Sequence, residues 1–302
     1  DANYKSAIED LDQFTLAILC DLKYLYLVRR ESYAPVLDTA ADLAYQIFSS
    51  PTLNQETEKG GWLFQPGCWS DHPDYAYAGN PTIFEGIEPL IRADVPWDSS
   101  HFHRFPLFLN SWQSAQPNKE RQALFQLRKE QLANQMAEYV LQNIDGRWLT
   151  TTFMDGTNGV YRYSYNTEGV GLDGYDPSGT FLFGWWAFLH NEHIAQCYRD
   201  ILKTFPMEAN RSNPYFDHAT VREQNPFFDM DTAFDNGMFE CIVTCASKLT
   251  DQAYNPRHRT FFWGIKTMPQ LRGICNGKSL PCNQRSLARG YTHFSQGMRF
   301  IG

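Results

Sequence analysis

The fold class is decided by residues 118–143, which read NKERQALFQLRKEQLANQMAEYVLQN. This segment is rich in Glu, Gln, Leu, Arg and Ala, all of which have high helix propensity. Its apolar side chains recur mostly every three to five residues, as expected for one face of an amphipathic helix. The segment therefore predicts a long helix packed against a core. The residues expected to face inward are Leu124, Leu127, Leu132, Met136, Val140 and Leu141.

Three more helices are predicted on the N-terminal side of this segment. Residues 7–29 carry a long series of apolar side chains at helical spacings, which predicts a helix with a broad buried face. Residues 35–48 predict a second helix, and Ser49, Ser50 and Pro51 end it. A third begins at Ser99 or Ser100, where Pro106 requires a late start or a kink.

The hydrophobic period changes after residue 143. Residues 148–153 and 160–165 are β-branched and aromatic runs around a turn-forming stretch, and they predict a β-hairpin over 148–165. Helices are expected again over 178–189, 190–205 and 231–249, and the chain is irregular and basic from about residue 250. The whole pattern predicts one mainly α domain over residues 1–302, built as an array of helical hairpins.

Composition and charge exclude several classes of protein. The 302 residues are 20% charged and 43% hydrophobic, which is the balance of a folded globular chain. A net charge of −8 repels phosphates, so nucleic acid is not an expected partner. The longest apolar stretch, residues 181–189, is about half of what a bilayer requires, so no transmembrane span is expected. Because the chain starts at Asp1, a removed export signal is one explanation, and we predict a secreted or periplasmic location with a cytoplasmic one as the alternative.

The chain has seven cysteines, and their spacing gives two expectations. Cys275 and Cys282 bracket a short loop that a local disulfide would close if the two β-carbons approach. Cys241 and Cys245 lie four residues apart on a predicted helix, which holds them too far apart for an unstrained bridge. We therefore expect these two to be buried thiols.

Residues 67–80 form the densest mixture of polar and aromatic side chains. Carboxyl groups beside large rings lose water, which raises their pKa toward that of a general acid. This predicts a cleft, with the alternative that Asp71 or Ser70 only caps a helix beginning at Pro73. The candidates are Asp71 as a catalytic carboxylate and Trp69, His72, Asp74 and Tyr75 as substrate-binding residues.

A second candidate segment, residues 97–105, contains Asp98, His101, His103 and Arg104. The two histidines would share a face on an extended chain and could hold a metal, but on a helix they diverge. Serines at 99 and 100 favour the helix, so neither a metal nor another cofactor is predicted. His101 and Arg104 are substrate-binding candidates, and the alternative for Arg104 is an ion pair with a structural aspartate.

The third candidate segment, residues 163–180, leads from the predicted hairpin into the most apolar predicted helix. Its glycines allow tight turns or close approach of a ligand, and no phosphate-loop lysine follows them. A well-ordered turn is the structural alternative. The candidates are Asp173 and Asp176 as catalytic carboxylates and Tyr165 and Glu168 as substrate-binding residues.

Loops that combine carboxylates with Trp and Tyr, set between paired helices, resemble those of the α/α-toroid carbohydrate-active enzymes. The resemblance covers about residues 7–249 and concerns architecture and loop composition. It implies an α/α toroid and an oligo- or polysaccharide substrate that stacks on aromatic rings. For a glycoside hydrolase it implies that Asp71 and Asp173, or Asp176 in place of Asp173, flank the scissile bond.

Three alternatives follow from the same residues. A polysaccharide lyase acting on uronic acids would use a base and a group that neutralises the sugar carboxylate, with His72, His101, Arg104 and Tyr165 as candidates. A non-catalytic binding protein would present its aromatic rings as a partner surface. A metal-dependent hydrolase would be built on the nearby aspartates together with His72, His101 and His103. The sequence gives no oligomeric state.

Overall fold

The structure is a computed structural model that describes residues 3–163, 171–208, 213–216 and 230–249, with only the backbone at 230–232. This part of the chain is mainly α, as predicted, and no helix in it is long and apolar enough to cross a membrane. The α-helices are α1 (Asp10–Arg29), α2 (Val36–Ser49), α3 (Ser99–Phe102), α4 (Phe105–Ala115), α5 (Lys119–Gln135), α6 (Glu192–Leu202), α7 (Met230–Asp235) and α8 (Met238–Ala246). Short 3₁₀ helices cover Asn3–Ser6, Pro73–Tyr75, Asp176–Phe183 and Trp185–Leu189.

Helix α5 begins where the sequence predicts, because the Asn118 side chain accepts a hydrogen bond from the backbone N–H of Arg121 (2.9 Å). It ends earlier than predicted, in a π-helical turn over Met136–Val140. The expectation that Leu127 faces inward is wrong, since its side chain is 44% exposed. The buried face of α5 runs through Phe125 and Leu132 at helical spacing, and Leu127 lies on the opposite side.

Much of the aromatic content forms the core rather than a cleft. The ring of Phe48 on α2 stacks on Trp112 of α4 at 4.3 Å between centroids. The rings of Phe102 and Phe105 stack at 3.9 Å across the α3–α4 connection. Large rings bury the most apolar area per residue, so this cluster fixes the positions of α2, α3 and α4. Further wholly buried rings include Trp62, Phe64, Phe108, Phe125, Phe153 and Trp186.

Two antiparallel hairpins occur in the described residues: β1 (Asn54–Glu56) with β2 (Trp62–Phe64), and β3 (Leu141–Ile144) with β4 (Arg147–Thr150). The predicted hairpin over 148–165 is wrong. Residues 147–150 do form a strand, but they pair with the preceding residues, with Leu141 opposite Thr150. The turn is Asp145-Gly146, with φ of 50° and 80°, and two left-handed residues make the tight turn that best fits strand twist.

The region after the hairpins also departs from expectation. Residues 176–189 form two 3₁₀ helices rather than one α-helix, and Gly184, at φ 75°, separates them. The predicted helix over 231–249 is interrupted at Gly237, which has φ 76°. Cys241 is only partly buried and Cys245 is exposed, so the expectation of buried thiols is wrong. Cys275, Cys282 and the basic segment lie outside the described residues.

Close backbone contacts bring residues 159–162 beside residues 74–80. The N–H of Val160 donates to the carbonyl of Asn80 (2.9 Å), and the N–H of Arg162 donates to that of Asp74 (2.8 Å). Gly159 permits this approach, because a β-carbon there would overlap the carbonyl oxygen of Ala78. Two segments far apart in sequence are therefore held side by side.

Candidate active site

Asp98 lies at the centre of a buried polar cluster and caps the N-terminus of α3. Its carboxylate accepts hydrogen bonds from the N–H of His101 (2.9 Å), from Tyr75 Oη (2.7 Å) and from Ser100 Oγ. Burial alone would raise the pKa of Asp98. Interaction with the His101 imidazole and the hydrogen bonds donated by the side chains of His101, Ser100 and Tyr75 outweigh burial and hold this pKa well below its usual range. Asp98 is therefore ionised although it is wholly buried.

His101 is the partly exposed member of the cluster, with 25% of its side chain accessible. Its Nδ1 lies 2.8 Å from Asp98 Oδ2 and 3.0 Å from Tyr161 Oη. Because Asp98 is ionised, its carboxylate accepts a hydrogen bond from Nδ1–H, and in the neutral imidazole this tautomer places the lone pair on Nε2. An imidazole oriented in this way is suited to accept a proton from a substrate.

Arg162 and Asp74 form the second half of the cluster. The guanidinium Nε lies 3.4 Å from Asp74 Oδ2. Burial would lower the pKa of Arg162, but Tyr161, Asp74 and Asp98 raise it above its usual value, so the side chain stays charged. The backbone of Arg162 is left-handed, with φ 61°, an arrangement that costs a non-glycine residue about 1–3 kcal/mol.

The pKa of Asp74 is raised. Burial is the largest cause, and it outweighs the opposing charges of Arg162 and His72. The side chain is 9% exposed, and its Oδ2 is the oxygen that lies 3.4 Å from Nε of Arg162. Asp74, with its raised pKa, can hold a proton at a pH at which Asp98 is ionised. Over part of the acidic range Asp74 is therefore neutral while Asp98 is charged.

Aromatic rings wall the cluster. The imidazole of His72 accepts from the N–H of Asp74 (3.1 Å) and packs edge-on against Trp69 at 5.8 Å. Burial raises the pKa of both Tyr75 and Tyr161 well above the ordinary value, so both phenols stay neutral. Tyr77 and Tyr163, 4.5 Å apart, are partly exposed beside Arg162 and could offer a face to a ligand.

The structure brings several of the sequence-predicted residues together. Residues from the segments 67–80 and 97–105 contact one another, as the prediction of a shared site requires. The cluster contains the predicted Trp69, His72, Asp74, Tyr75 and His101.

Asp71 and Arg104 have other partners. The Asp71 carboxylate is exposed and accepts hydrogen bonds from the N–H groups of Asn3 (2.5 Å) and Tyr4 (3.1 Å). Desolvation raises the pKa of Asp71, but these backbone donors lower it by more, so the net shift is downward. Arg104 forms an ion pair with Asp10 of α1, which matches the structural alternative given for it.

The third predicted segment contributes less to the described site. Asp173 accepts from Thr82 Oγ1 (3.2 Å) and from the N–H of Ile83 (3.0 Å). Asp176 accepts from the N–H of Asp173 (2.8 Å) at the start of a 3₁₀ helix. Tyr165 and Glu168 lie outside the described residues.

Sequence reasoning considered Asp98 only beside the histidines of the metal-dependent alternative, and it assigned no role to Tyr161 or Arg162. Asp98 did carry a signal, because Asp-Ser-Ser-His places a cap and a histidine three residues apart, within reach of each other. Tyr161 and Arg162 carried none, since both fell inside the run assigned to the predicted hairpin.

The two neighbouring histidines face different surroundings, as the helical alternative predicts. His103 Nδ1 is hydrogen-bonded to the carbonyl of Ser100, and its ring lies 4.9 Å from that of Trp185. Within the described part of the chain, no group of three or more His, Cys, Asp or Glu side chains is placed to hold a metal ion. The site is therefore defined by an oriented imidazole, two carboxyl groups and a guanidinium. Comparisons with protein-family models, curated protein sequences and solved structures give no match.

His103 predicts a measurable loss of stability in acid. Burial, assisted by the charge of Arg104, lowers its pKa to about 3, whereas the unfolded chain binds this proton near the ordinary value of about 6.5. Between these values the unfolded state holds more protons, so stability falls as the pH falls. The variant His103→Phe keeps an aromatic ring beside Trp185 but has no group to protonate. Between pH 7 and 5, the free energy of unfolding should fall by about 2 kcal/mol more in the wild type than in this variant.

Urea unfolding at both pH values measures this difference. His193→Phe replaces an exposed histidine of α6 and should lose as much stability as the wild type over the same range. An equal loss in wild type and His103→Phe would show that His103 is protonated in the folded state.

Proposed function

We propose that the protein is a carbohydrate-active enzyme that cleaves glycosidic bonds in an oligo- or polysaccharide, as a lyase acting on uronic acids. The observation that carries this proposal is the partly exposed imidazole of His101, oriented by the buried, ionised Asp98 and placed in one cluster with Arg162. An α/α-toroid architecture and a secreted or periplasmic location belong to the same proposal.

The reaction would be an elimination. His101 Nε2 takes the proton from the carbon next to the sugar carboxylate, and the electron pair of that C–H bond forms a double bond to the neighbouring carbon. The glycosidic C–O bond of that neighbour breaks, and the protonated imidazole returns its proton to the leaving oxygen, so no second acid is needed. Asp98 stabilises the imidazolium that exists between the two transfers.

Arg162 supplies the other requirement of this chemistry. Removing a proton next to a carboxylate builds negative charge on that group, and a guanidinium can pair with both of its oxygens. The left-handed backbone and the contact with Asp74 hold the guanidinium in place before substrate arrives. The partly exposed rings of Tyr77 and Tyr163 would stack on a neighbouring sugar.

Elimination is favoured over hydrolysis because the carboxyl groups that hydrolysis would use are either buried or already hydrogen-bonded within the protein. A glycoside hydrolase needs two carboxyl groups that flank the bond. Asp98 is wholly buried, and the carboxylates of Asp71 and Asp173 accept backbone hydrogen bonds from Asn3, Tyr4 and Ile83. Hydrolysis by Asp71 with Asp173 or Asp176 stays a prediction of the sequence, and the same assay tests it.

The assay offers the full-length protein a panel of uronic acid polymers, including polygalacturonate, alginate and chondroitin sulfate. We expect one of them to yield new reducing ends together with near-ultraviolet absorption, because elimination leaves a double bond conjugated to the carboxylate. The same polymer with its carboxylates reduced to alcohols should not react. His193→Gln, which changes a histidine on α6, should retain full activity.

Two results would contradict this assignment. New reducing ends without near-ultraviolet absorption would indicate hydrolysis, and Asp71 with Asp173 or Asp176 would then be the carboxylate pair to test. Binding without cleavage of every uronic acid polymer would favour the non-catalytic, aromatic-rich binding protein.

A further inference from the structure

Helix α1 carries apolar side chains on both of its sides. Its buried side holds Leu16, Ala17 and Cys20 together with Gln13 and Lys23, and large apolar side chains on the other side are exposed. The outer side of a surface helix in a monomeric protein is ordinarily polar. The exposed fractions are 69% for Leu11, 53% for Ile18, 42% for Leu22 and 42% for Leu25. The expectation that the helix over residues 7–29 has a broad buried face is thus wrong for these four residues and for Leu27, which is 44% exposed.

These side chains form one continuous row. Their successive spacings are seven, four and three residues, which fit the seam pattern of a coiled coil. Thr15 and Arg29 occupy the remaining seam positions and are also exposed. We call the six residues the outer stripe of α1: Leu11, Thr15, Ile18, Leu22, Leu25 and Arg29. With a rise of about 1.5 Å per residue, the 20-residue helix offers a seam about 30 Å long.

We propose that the outer stripe is the interface of a homodimer, in which α1 pairs with α1 of a second copy in antiparallel orientation. The two-fold axis passes between Ile18 and Leu22, so that Ile18 of one copy packs on Leu22 of the other. The same axis places Leu25 against Thr15 and the aliphatic stem of Arg29 over Leu11.

Charge along the helix selects a second copy and the antiparallel orientation. Exposed Glu9 and Asp12 lie at the N-terminal end of the stripe. Exposed Arg29 and Arg30 lie at its C-terminal end, followed by a single acid, Glu31. An antiparallel pair brings the acidic end of each helix against the basic end of the other, whereas a parallel pair sets like charges side by side. The helix dipoles are also opposed in the antiparallel pair.

The test is the mass of the full-length chain in solution, measured by light scattering and sedimentation equilibrium across a concentration series. We expect a shift from 34.9 kDa to twice that mass, with a Kd in the micromolar range, because a single helix seam is at the small end of specific interfaces. Ile18→Glu and Leu22→Glu should each raise the Kd by at least about 100-fold, since each places a charge at the centre of the seam.

The matched control is Leu127→Glu, which changes a leucine of α5 with similar exposure (44%) and should leave the Kd unchanged. Added salt should weaken the dimer, because opposite charges face each other across the seam. Monomeric wild type at every concentration, or a dimer that survives both seam variants, would overturn the proposal, and a dimer that tightens with salt would overturn its antiparallel orientation.

A stability measurement separates the dimer from a contact within one chain. At concentrations where the wild type is monomeric, Ile18→Glu should melt at the same temperature as the wild type. Early melting of the variant under those conditions would show that the stripe is covered by another part of the same chain, and the homodimer would be excluded.

Discussion

His101→Gln should lower kcat on a uronic acid polymer by at least about 100-fold, the smaller end of what one acid–base group contributes. Glutamine can still donate a hydrogen bond to Asp98 and has a similar length, so the cluster should stay folded. It offers no basic nitrogen in place of Nε2, and proton abstraction is then left to water. Initial rates of near-ultraviolet absorption measure the change.

The matched control is His193→Gln, which makes the same chemical change at an exposed histidine on α6. Thermal melting of both variants checks that loss of activity is not loss of fold. A His101→Gln enzyme with wild-type kcat would contradict its role as the base, even if the KM had changed.

Asp98→Ala should lower the free energy of unfolding by about 3–5 kcal/mol, because it removes one partner of a buried charged network and leaves the others unpaired. Tyr75, Ser100 and the N–H of His101 all lose their acceptor, and the cap of α3 is lost with them. Equilibrium unfolding in urea measures this loss. Where the alanine variant does not fold, Asp98→Asn is the substitute, because asparagine has the shape of aspartate. It should still destabilise the folded protein, since its amide N–H group would face Tyr75 and Ser100, which are themselves donors.

Asp71→Ala is the comparison for Asp98→Ala. Asp71 also accepts backbone hydrogen bonds, from Asn3 and Tyr4, but its carboxylate is exposed and water can replace it at those donors. We expect a much smaller loss of stability than for Asp98→Ala. Equal losses would show that Asp98 is hydrated in the folded protein and that the cluster is open to solvent.

The long helices could be predicted because their signals are local. The Asn118 cap and the propensity of the residues after it set the start of α5. The end of α5 could not be predicted from the same rules, because strong helix formers continue through Glu138. The tight Asp145-Gly146 turn just beyond pairs residues 141–144 with residues 147–150 as a strand. Pairing with a downstream strand outweighs helix propensity there.

The candidate site could be predicted in its segments but not in its central acid. Asp71 and Asp98 both sit in loops rich in aromatic residues, and the sequence around each is equally consistent with catalysis or capping. Burial distinguishes them, and burial depends on the packing of 159–162 against 74–80, a contact between residues about 85 positions apart. For the same reason Arg162 gave no local sign that it meets Asp74.

At position 162 the left-handed backbone and the contacts of the side chain favour different residues. Folding alone favours glycine or asparagine at φ 61°, because neither has a branched or bulky side chain to strain. The arginine offsets this conformational cost at least in part through its ion pair with Asp74, whose side chain is 9% exposed. Replacement by glycine would relax the backbone and leave the buried Asp74 without that partner, so the position is subject to two opposing structural demands.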